Sequence, residues 1–335
     1  MTVKTRPAQP ADVPAIAALL LEDASVRERL NQQLWAVAPD AAARVLASLN
    51  TIADPVAGPA RHHWFVAERD RVVAAVAHGV NMPPPPIIDL HGGTAGVLLD
   101  DSHLPADHAL SAALLAAVEQ AMRDAGAVLF VAASPEGWRE RTAFLTGSGY
   151  ETTTLYMAKT GLEADWQVGV TRRATPADIP GVVRLSGRHR ARLQEANPLF
   201  WHIHANADAR FGAWMSFCLS MSDRSMFVSG VPEAIDGYII AQPGSPLHLA
   251  PAHDATRTGL IDDFYAAAFE PANQGGGLSS VAAGLLSAAE AALHDRDIDT
   301  VLAICPARMP TKEESLRCQG YVTANLWMVK AGGRD

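Results

Sequence analysis

The sequence predicts an α/β protein made of two copies of one unit, each a mixed sheet with helices on its faces. Three observations carry that reading. Thr5-Arg6-Pro7-Ala8-Gln9-Pro10-Ala11-Asp12-Val13-Pro14 returns in the second half as Thr171-Arg172-Arg173-Ala174-Thr175-Pro176-Ala177-Asp178-Ile179-Pro180. Gly149-Tyr150-Glu151-Thr152-Thr153-Thr154-Leu155-Tyr156-Met157 returns, at nearly the same separation, as Gly320-Tyr321-Val322-Thr323-Ala324-Asn325-Leu326-Trp327-Met328. Between these marks both halves run through one order of patterns, β-α-α-β-β-β-α-β-α-β. A repeat of roughly 165 residues is the size of a domain and far longer than a solenoid unit. The expected domains are residues 1–160 and 161–335.

Each unit opens on a short extended segment, Val3 to Ala8 or Val168 to Ala174. Pro-Ala-Asp follows, with the aspartate expected to cap a helix whose first turn holds Pro14 or Pro180. The helix runs through Ile16, Leu19 and Leu20, or through Val182, Val183 and Leu185. A second helical region repeats Leu34-Trp35 as Phe200-Trp201 and Ala43-Arg44 as Ala209-Arg210. Trp64 to Ala67 with Val72 to Ala77 reads as a hairpin, matched by Met226 to Val228 with Tyr238 to Ile240. A third strand comes next, Gly96 to Leu99 or Gly259 to Ala268. Long apolar-faced helices, Ala109 to Asp124 and Leu278 to Asp295, share Glu119 with Glu290, in the register of the closing Gly-Tyr repeat. Strands Val128 to Ala132 and Val301 to Ile304, a helix and the Gly-Tyr strand close each unit. Thr160 to Gly169 is the linker.

Composition narrows the class. The chain has 335 residues, 49% hydrophobic and 19% charged, with a net charge of −9. It is globular, and its acidity argues against nucleic acid or a membrane surface as partner. Cys218, Cys305 and Cys318 match no zinc or redox spacing and read as buried or incidental thiols. No leader pattern opens the sequence and no apolar run approaches the ~20 residues of a membrane span, so the cytoplasm is the expected compartment. Neither Gly-x-Gly-x-x-Gly nor Gly-x-x-x-x-Gly-Lys-Ser/Thr occurs, which disfavours hydride or phosphoryl transfer on a doubly wound fold.

The element order, Thr-Arg-x-Ala-x-x-x-Asp at the start and Gly-Tyr near the end resemble the GNAT superfamily of N-acetyltransferases, in both halves. The resemblance implies a tandem GNAT protein that uses acetyl-CoA, or another acyl-CoA, as co-substrate. In that family a segment Val-x-Pro-x-x-Arg/Gln-x-x-Gly-x-Gly/Ala turns main-chain N–H groups toward the pyrophosphate. Phe269-Glu270-Pro271-Ala272-Asn273-Gln274-Gly275-Gly276-Gly277-Leu278-Ser279 is similar, with Ser279 in place of the last small residue. Leu285-Leu286 falls about one turn later than the family spacing, which leaves an inserted turn or a loop in a different register open, and Gly275-Gly276-Gly277 also reads as a plain flexible joint. The resemblance makes Phe269, Gln274, Gly275, Gly276, Gly277, Leu278 and Ser279 the cofactor-binding candidates. The matching stretch of the first half, His103 to Ser111, lacks glycine and brings Asp107 toward the diphosphate position. That half is expected to be structural.

Acetyl transfer to an amine needs an acceptor for the amine proton and donors for the oxyanion and the departing thiolate. Strand alternation should send Asp262 and Asp263 to opposite faces. Asp263 stands six residues before Phe269, where the histone-acetyltransferase branch of the family has a glutamate base, so the resemblance makes it the catalytic candidate. A solvated or strand-capping aspartate is the bland alternative, and Glu270 a weaker candidate. The oxyanion would be held by main-chain N–H groups between Phe264 and Ala268. The tyrosine acid that the family often places four residues before the closing glycine is absent, because Leu316 and Leu145 stand there. The segment from Arg188-His189-Arg190 to Phe200-Trp201-His202-Ile203-His204 lies where the fold lines its acceptor pocket. Trp201, His202 and His204 are therefore the substrate-binding candidates. No third ligand for the two histidines is evident, so no metal is expected. The expected function is acyl transfer to the amine of a small-molecule or peptide acceptor, by a monomer or homodimer. The alternative is a catalytically silent tandem GNAT that binds a ligand or a partner protein.

Overall fold

Thirteen strands and eight helices are present among the described residues of the computed structural model, which are 3–162, 171–232, 234–245, 248–270 and 280–333. The first half runs β1 (Val3–Pro7), α1 (Val13–Leu30), α2 (Ala41–Ser48), β2 (Val56–Ala57), β3 (Ala60–Arg69), β4 (Val72–Met82), β5 (Thr94–Leu98), α3 (His108–Asp124), β6 (Ala127–Pro135), α4 (Arg139–Gly147) and β7 (Glu151–Thr160). The second runs β8 (Thr171–Arg173), α5 (Ile179–Ala196), α6 (Ala207–Cys218), β9 (Ser225–Val231), β10 (Ala234–Pro243), β11 (Thr258–Ala266), α7 (Ser280–His294), β12 (Thr300–Pro306), α8 (Pro310–Cys318) and β13 (Val322–Ala331). Alternation along the strands feeds a core on each face. Ala67, Ala75 and Ala77 pack under α3, while Trp64, Val66 and Val76 pack with Ile16, Leu20 and Val45 from α1 and α2.

The repeated motifs do repeated jobs. Asp12 and Asp178 do not cap α1 and α5 with their carboxylates, as the sequence suggested. Each reaches back instead, accepting from the main-chain N–H of Gln9 or Thr175 (2.8 Å) and pairing with Arg6 or Arg172 on the preceding strand. That arginine lowers the pKa of its partner, in Asp178 to about 2. Asn31 and Asn197 end the two long helices, and their side chains accept from Leu34 N and Phe200 N (3.0 and 2.9 Å), which places the Trp35 and Trp201 echo. Gly149 and Gly320 sit at φ of 90° and 86°, where a β-carbon would be strained.

All strands belong to one sheet, ordered β1-β3-β4-β5-β6-β13-β7-β12-β11-β10-β9-β8, with β2 on β3. The closing strands are therefore exchanged. β7 of the first half lies beside β12 of the second, and β13 lies beside β6 of the first. β7 and β13 pair antiparallel at the centre, where Leu155 faces Leu326, its own counterpart, so a pseudo-twofold axis passes between them. Two ionic latches fix the exchange. Lys330 on β13 reaches Glu119 on α3 (2.8 Å), and Lys159 on β7 reaches Glu290 on α7 (2.6 Å). The same two carboxylates accept from Tyr150 and Tyr321 (2.9 and 2.8 Å), the tyrosines of the closing motif. No described helix is long and apolar enough to cross a membrane.

Candidate active site

The site lies where two parallel strands part. β11 and β12 pair only from Thr258 to Ile261 against Thr300 to Ala303, and then diverge. At the same place the β10–β11 register slips between Ile240 and Ala241, so Asp262 is an extra residue on β11. The bulge cancels the alternation. Asp262 and Asp263, expected on opposite faces, both line one cavity of about 400 Å³.

Helices α5 and α6, Trp201 and the parted strands wall this cavity, and Pro85, Pro86 and Ile87 of the first half complete it. Leu193, Phe211, Trp214 and Met215 make most of the wall apolar. Its polar groups gather at the floor. Tyr238 donates to Asp263 Oδ1 (2.8 Å), and His189 Nδ1 lies 3.4 Å from the same oxygen. The His189 ring stacks on Tyr265, and its Nε2 is shut off from solvent with no hydrogen-bond partner among the described residues. Burial lowers the pKa of His189, so the ring is neutral near pH 7. Asp262 accepts from Gln242 (3.0 Å), and its other oxygen is shut off from solvent without a partner among the described residues. Burial, with Asp263 beside it, pushes its carboxyl up to about 6.

Lys312, on α8, is the third element. Its side chain is buried, donates to the main-chain oxygen of Phe264 (2.7 Å) and lies 5.4 Å from the centre of that ring. Burial lowers its pKa. The amine thus sits in the gap that the parting strands leave, one helical turn before Leu316, which is fully buried in the core.

A second cleft, of about 260 Å³, lies beside Phe269 and the start of α8 and carries Arg192 and Arg308. Adjacent residues of α5 and α8 face the two spaces in turn, with Leu193 and Lys312 to the cavity and Arg192 and Thr311 to the cleft. Phe269 is buried edge-on against Phe264 and Tyr265. Gln274, Gly275, Gly276, Gly277, Leu278 and Ser279 lie outside the described residues.

The first half carries the same parting, since β5 and β6 pair only as far as Leu98 and Ala132. There the space is filled. Arg141, the counterpart of Lys312 in the register of the closing repeat, donates to the main-chain oxygens of Ala133 and Ser102 (3.1 and 3.2 Å). Arg27, fully buried, pairs with Asp23 and Asp100 between Trp35 and Trp138. Ala252 and His253, from the loop between β10 and β11, close the rest, with His253 bonded to the Trp35 carbonyl (2.8 Å). The cavity left is about 10 Å³. The two halves thus exchange loops as well as strands, and only one of the exchanged loops plugs its target.

Of the residues that the sequence nominated, Asp263 and Trp201 line the cavity, while His202 and His204 lie against residues 87–91 instead. Asp262, His189 and Lys312 were not nominated. His189 stands in the segment that drew attention, but nothing local tells it from its neighbours. Lys312 had one signal, its register with Arg141.

No family model matches the chain, and no curated protein does. Among solved structures, a tandem GNAT protein from the clavulanic acid biosynthesis pathway, without AcCoA, matches at TM-score 0.50 and 13% identity over 100% of both chains. A GCN5-related N-acetyltransferase from Sphaerobacter thermophilus matches at TM-score 0.56 and 17% identity, over 99% of this chain and 96% of that one. At such identities the likeness is one of fold. The chain has the tandem GNAT fold, the fold of acyl-CoA N-acyltransferases.

Proposed function

We propose that the protein is an acyl-CoA-dependent N-acyltransferase that works through its second half, residues 161–335, while the first half, 1–160, supplies a wall of the site. The observation that carries this reading is the floor of the open cavity, where a neutral imidazole, its Nε2 buried and unpaired among the described residues, stands against Asp263. The same place in the other half is plugged. Acyl-CoA supplies an activated thioester. The cleft beside Phe269, where Arg308 stands with Arg192 and its ion-pair partner Glu195, is followed in sequence by Gln274 to Ser279 and is the place where the resemblance puts the phosphates.

His189 Nε2 takes the proton of the attacking amine, and Asp263 holds the ring in orientation. As the C–N bond forms and the C–S bond breaks, Lys312 gives a proton to the departing thiolate, in place of the missing tyrosine. Its depressed pKa makes it a better acid than a surface lysine. The acceptor is an amine on an apolar body. Asp262 and Asp263 attract its ammonium form, which sheds one proton to solvent before the attack, and Trp201, Phe211 and Trp214 cover the rest.

Titration calorimetry with acetyl-CoA, followed by thiol release with a panel of aromatic and aliphatic amines, tests this. One binding event per chain and amine-dependent release are expected. Lys312 also supports a second reading, a catalytically silent module, because its amine already occupies a strand oxygen in the gap. An absence of heat and of thermal stabilisation by acetyl-CoA would decide for that reading.

A further inference from the structure

Outside the cavity, the loop between β4 and β5 meets the segment between α5 and α6 as a short antiparallel pair. Ile88 bridges Ile203, Asp89 N donates to the oxygen of His202 (2.8 Å), and His204 N donates to the oxygen of Ile87 (2.9 Å). Asp89 and His202 are therefore neighbours across the pair. The loop then turns on itself. Asp89 Oδ1 accepts from His91 N (2.7 Å), and His91 takes a φ of 52°, which brings its ring to 4.4 Å from that of His202. One ligand atom from each of Asp89, His91 and His202 lies within 4.8 Å of the others.

The sequence offered only His202 and His204, two apart and lacking a third ligand. The fold supplies the others from the opposite half, and it turns His204 away, with its Nδ1 accepting from Asn206 N (2.9 Å). His202 Nδ1 is shut off from solvent with no hydrogen-bond partner among the described residues, a cost that ligation through that nitrogen would remove. A histidine in the left-handed region is likewise held at some expense, although Gly92 and Gly93 follow directly.

We propose that Asp89, His91 and His202 bind one divalent first-row transition ion, of which zinc is the best match. Two imidazoles and one carboxylate form a borderline N/O donor set that suits zinc and disfavours magnesium or calcium, which take all-oxygen shells. Tetrahedral bonds of about 2.0–2.1 Å require donor atoms roughly 3.3 Å apart. The exposed His91 and its turn have room to close that distance. Water completes the shell. Because Pro85, Pro86 and Ile87 of the same loop wall the cavity, the ion would bolt that wall to the second half.

The test needs no acyl-transfer activity, so it stands apart from the function proposed above. Tag-free full-length chain, stripped with a chelator, is titrated with zinc chloride by calorimetry and with cobalt chloride by visible absorption. One saturable ion per chain, four-coordinate cobalt bands and a rise in melting temperature with zinc are expected. His91→Ala and Asp89→Ala should each weaken binding at least about 10-fold. His204→Ala should bind as the parent does. Circular dichroism of the metal-free variants checks the fold, and His91→Ala, altered at an exposed position, serves if Asp89→Ala disturbs the turn. Absence of saturable binding at one equivalent would overturn the assignment. So would undiminished binding by His91→Ala, or an equal loss in His204→Ala.

Discussion

Lys312 Nζ donates across 2.7 Å to the main-chain oxygen of Phe264, closing the gap that the parting of β11 and β12 opens. Arg141 makes the matching contact in the first half, so a buried cation from the fourth helix of each unit is a shared feature of the fold. Only Lys312 borders an open cavity. As a proton donor it should be needed for turnover more than for binding. Lys312→Met is expected to lower kcat by about 10²–10⁴-fold and to leave the acetyl-CoA affinity within a few-fold. Stability should hold or rise, because a buried ammonium gives way to an apolar chain of similar volume. Steady-state kinetics and thermal unfolding separate the cases. An unchanged kcat would leave Lys312 a structural plug.

The proposed base is His189, acting through Nε2, which must be opened to the cavity by the substrate. Its pKa lies below the 6.5 of a free imidazole, because burial outweighs the pull of Asp263. A base works only unprotonated, so kcat/KM should hold from neutral pH down past 6.5 and fall only below that value. His189→Gln should cost about 10²–10⁴-fold in kcat and abolish that limb. Asp263→Asn should cost less and change the pH profile. A profile identical in His189→Gln and the parent would remove the imidazole from the mechanism.

The repeat was legible in the sequence because paired residues do the same local work, as with Asp12 and Asp178 or Tyr150 and Tyr321. The strand exchange was not, because β7 and β13 have nearly the same pattern, and pairing within a half or between halves satisfies it equally. Strand alternation separates Asp262 from Asp263, and the bulge that brings both to one cavity is visible only in the pairing of β11 with Ile240 and Ala241 on β10. His202 could not be matched with His91 while the halves were read apart.

The exchange makes a prediction about stability. Glu290 holds Lys159 of the exchanged strand and Tyr321 of its own half, and Glu119 holds Lys330 and Tyr150 in the same way. Glu290→Ala strands a buried tyrosine hydroxyl and a half-buried ammonium, and it should cost about 2–4 kcal/mol. Lys159→Met should cost less, because Glu290 keeps its tyrosine. Urea unfolding of the two variants and of the double variant gives the coupling. The Glu119 and Lys330 cycle should return a similar value, since the axis between Leu155 and Leu326 makes the latches equivalent. Additive effects within one latch would show that the ion pairs do not hold the strands in place.

Asp262 gives the stability a pH dependence of definite sign. Its carboxyl titrates near 3.8 when free and near 6 in the fold, so the folded chain holds that proton more tightly than the unfolded chain. The resulting stabilisation is complete below pH 4 and is lost as pH rises through 6. Above that the fold carries a desolvated carboxylate beside Asp263, at a cost of up to about 3 kcal/mol. Asp262→Asn keeps an oxygen for Gln242 and removes the charge. It should match the parent at pH 4 and exceed its stability at pH 7–8, with the gap opening between pH 4 and 6 in urea unfolding. A gap independent of pH would refute the shifted titration. The same variant should bind a cationic amine more weakly at pH 7, because a carboxylate kept at a cost in stability is the group that an ammonium in this cavity would neutralise.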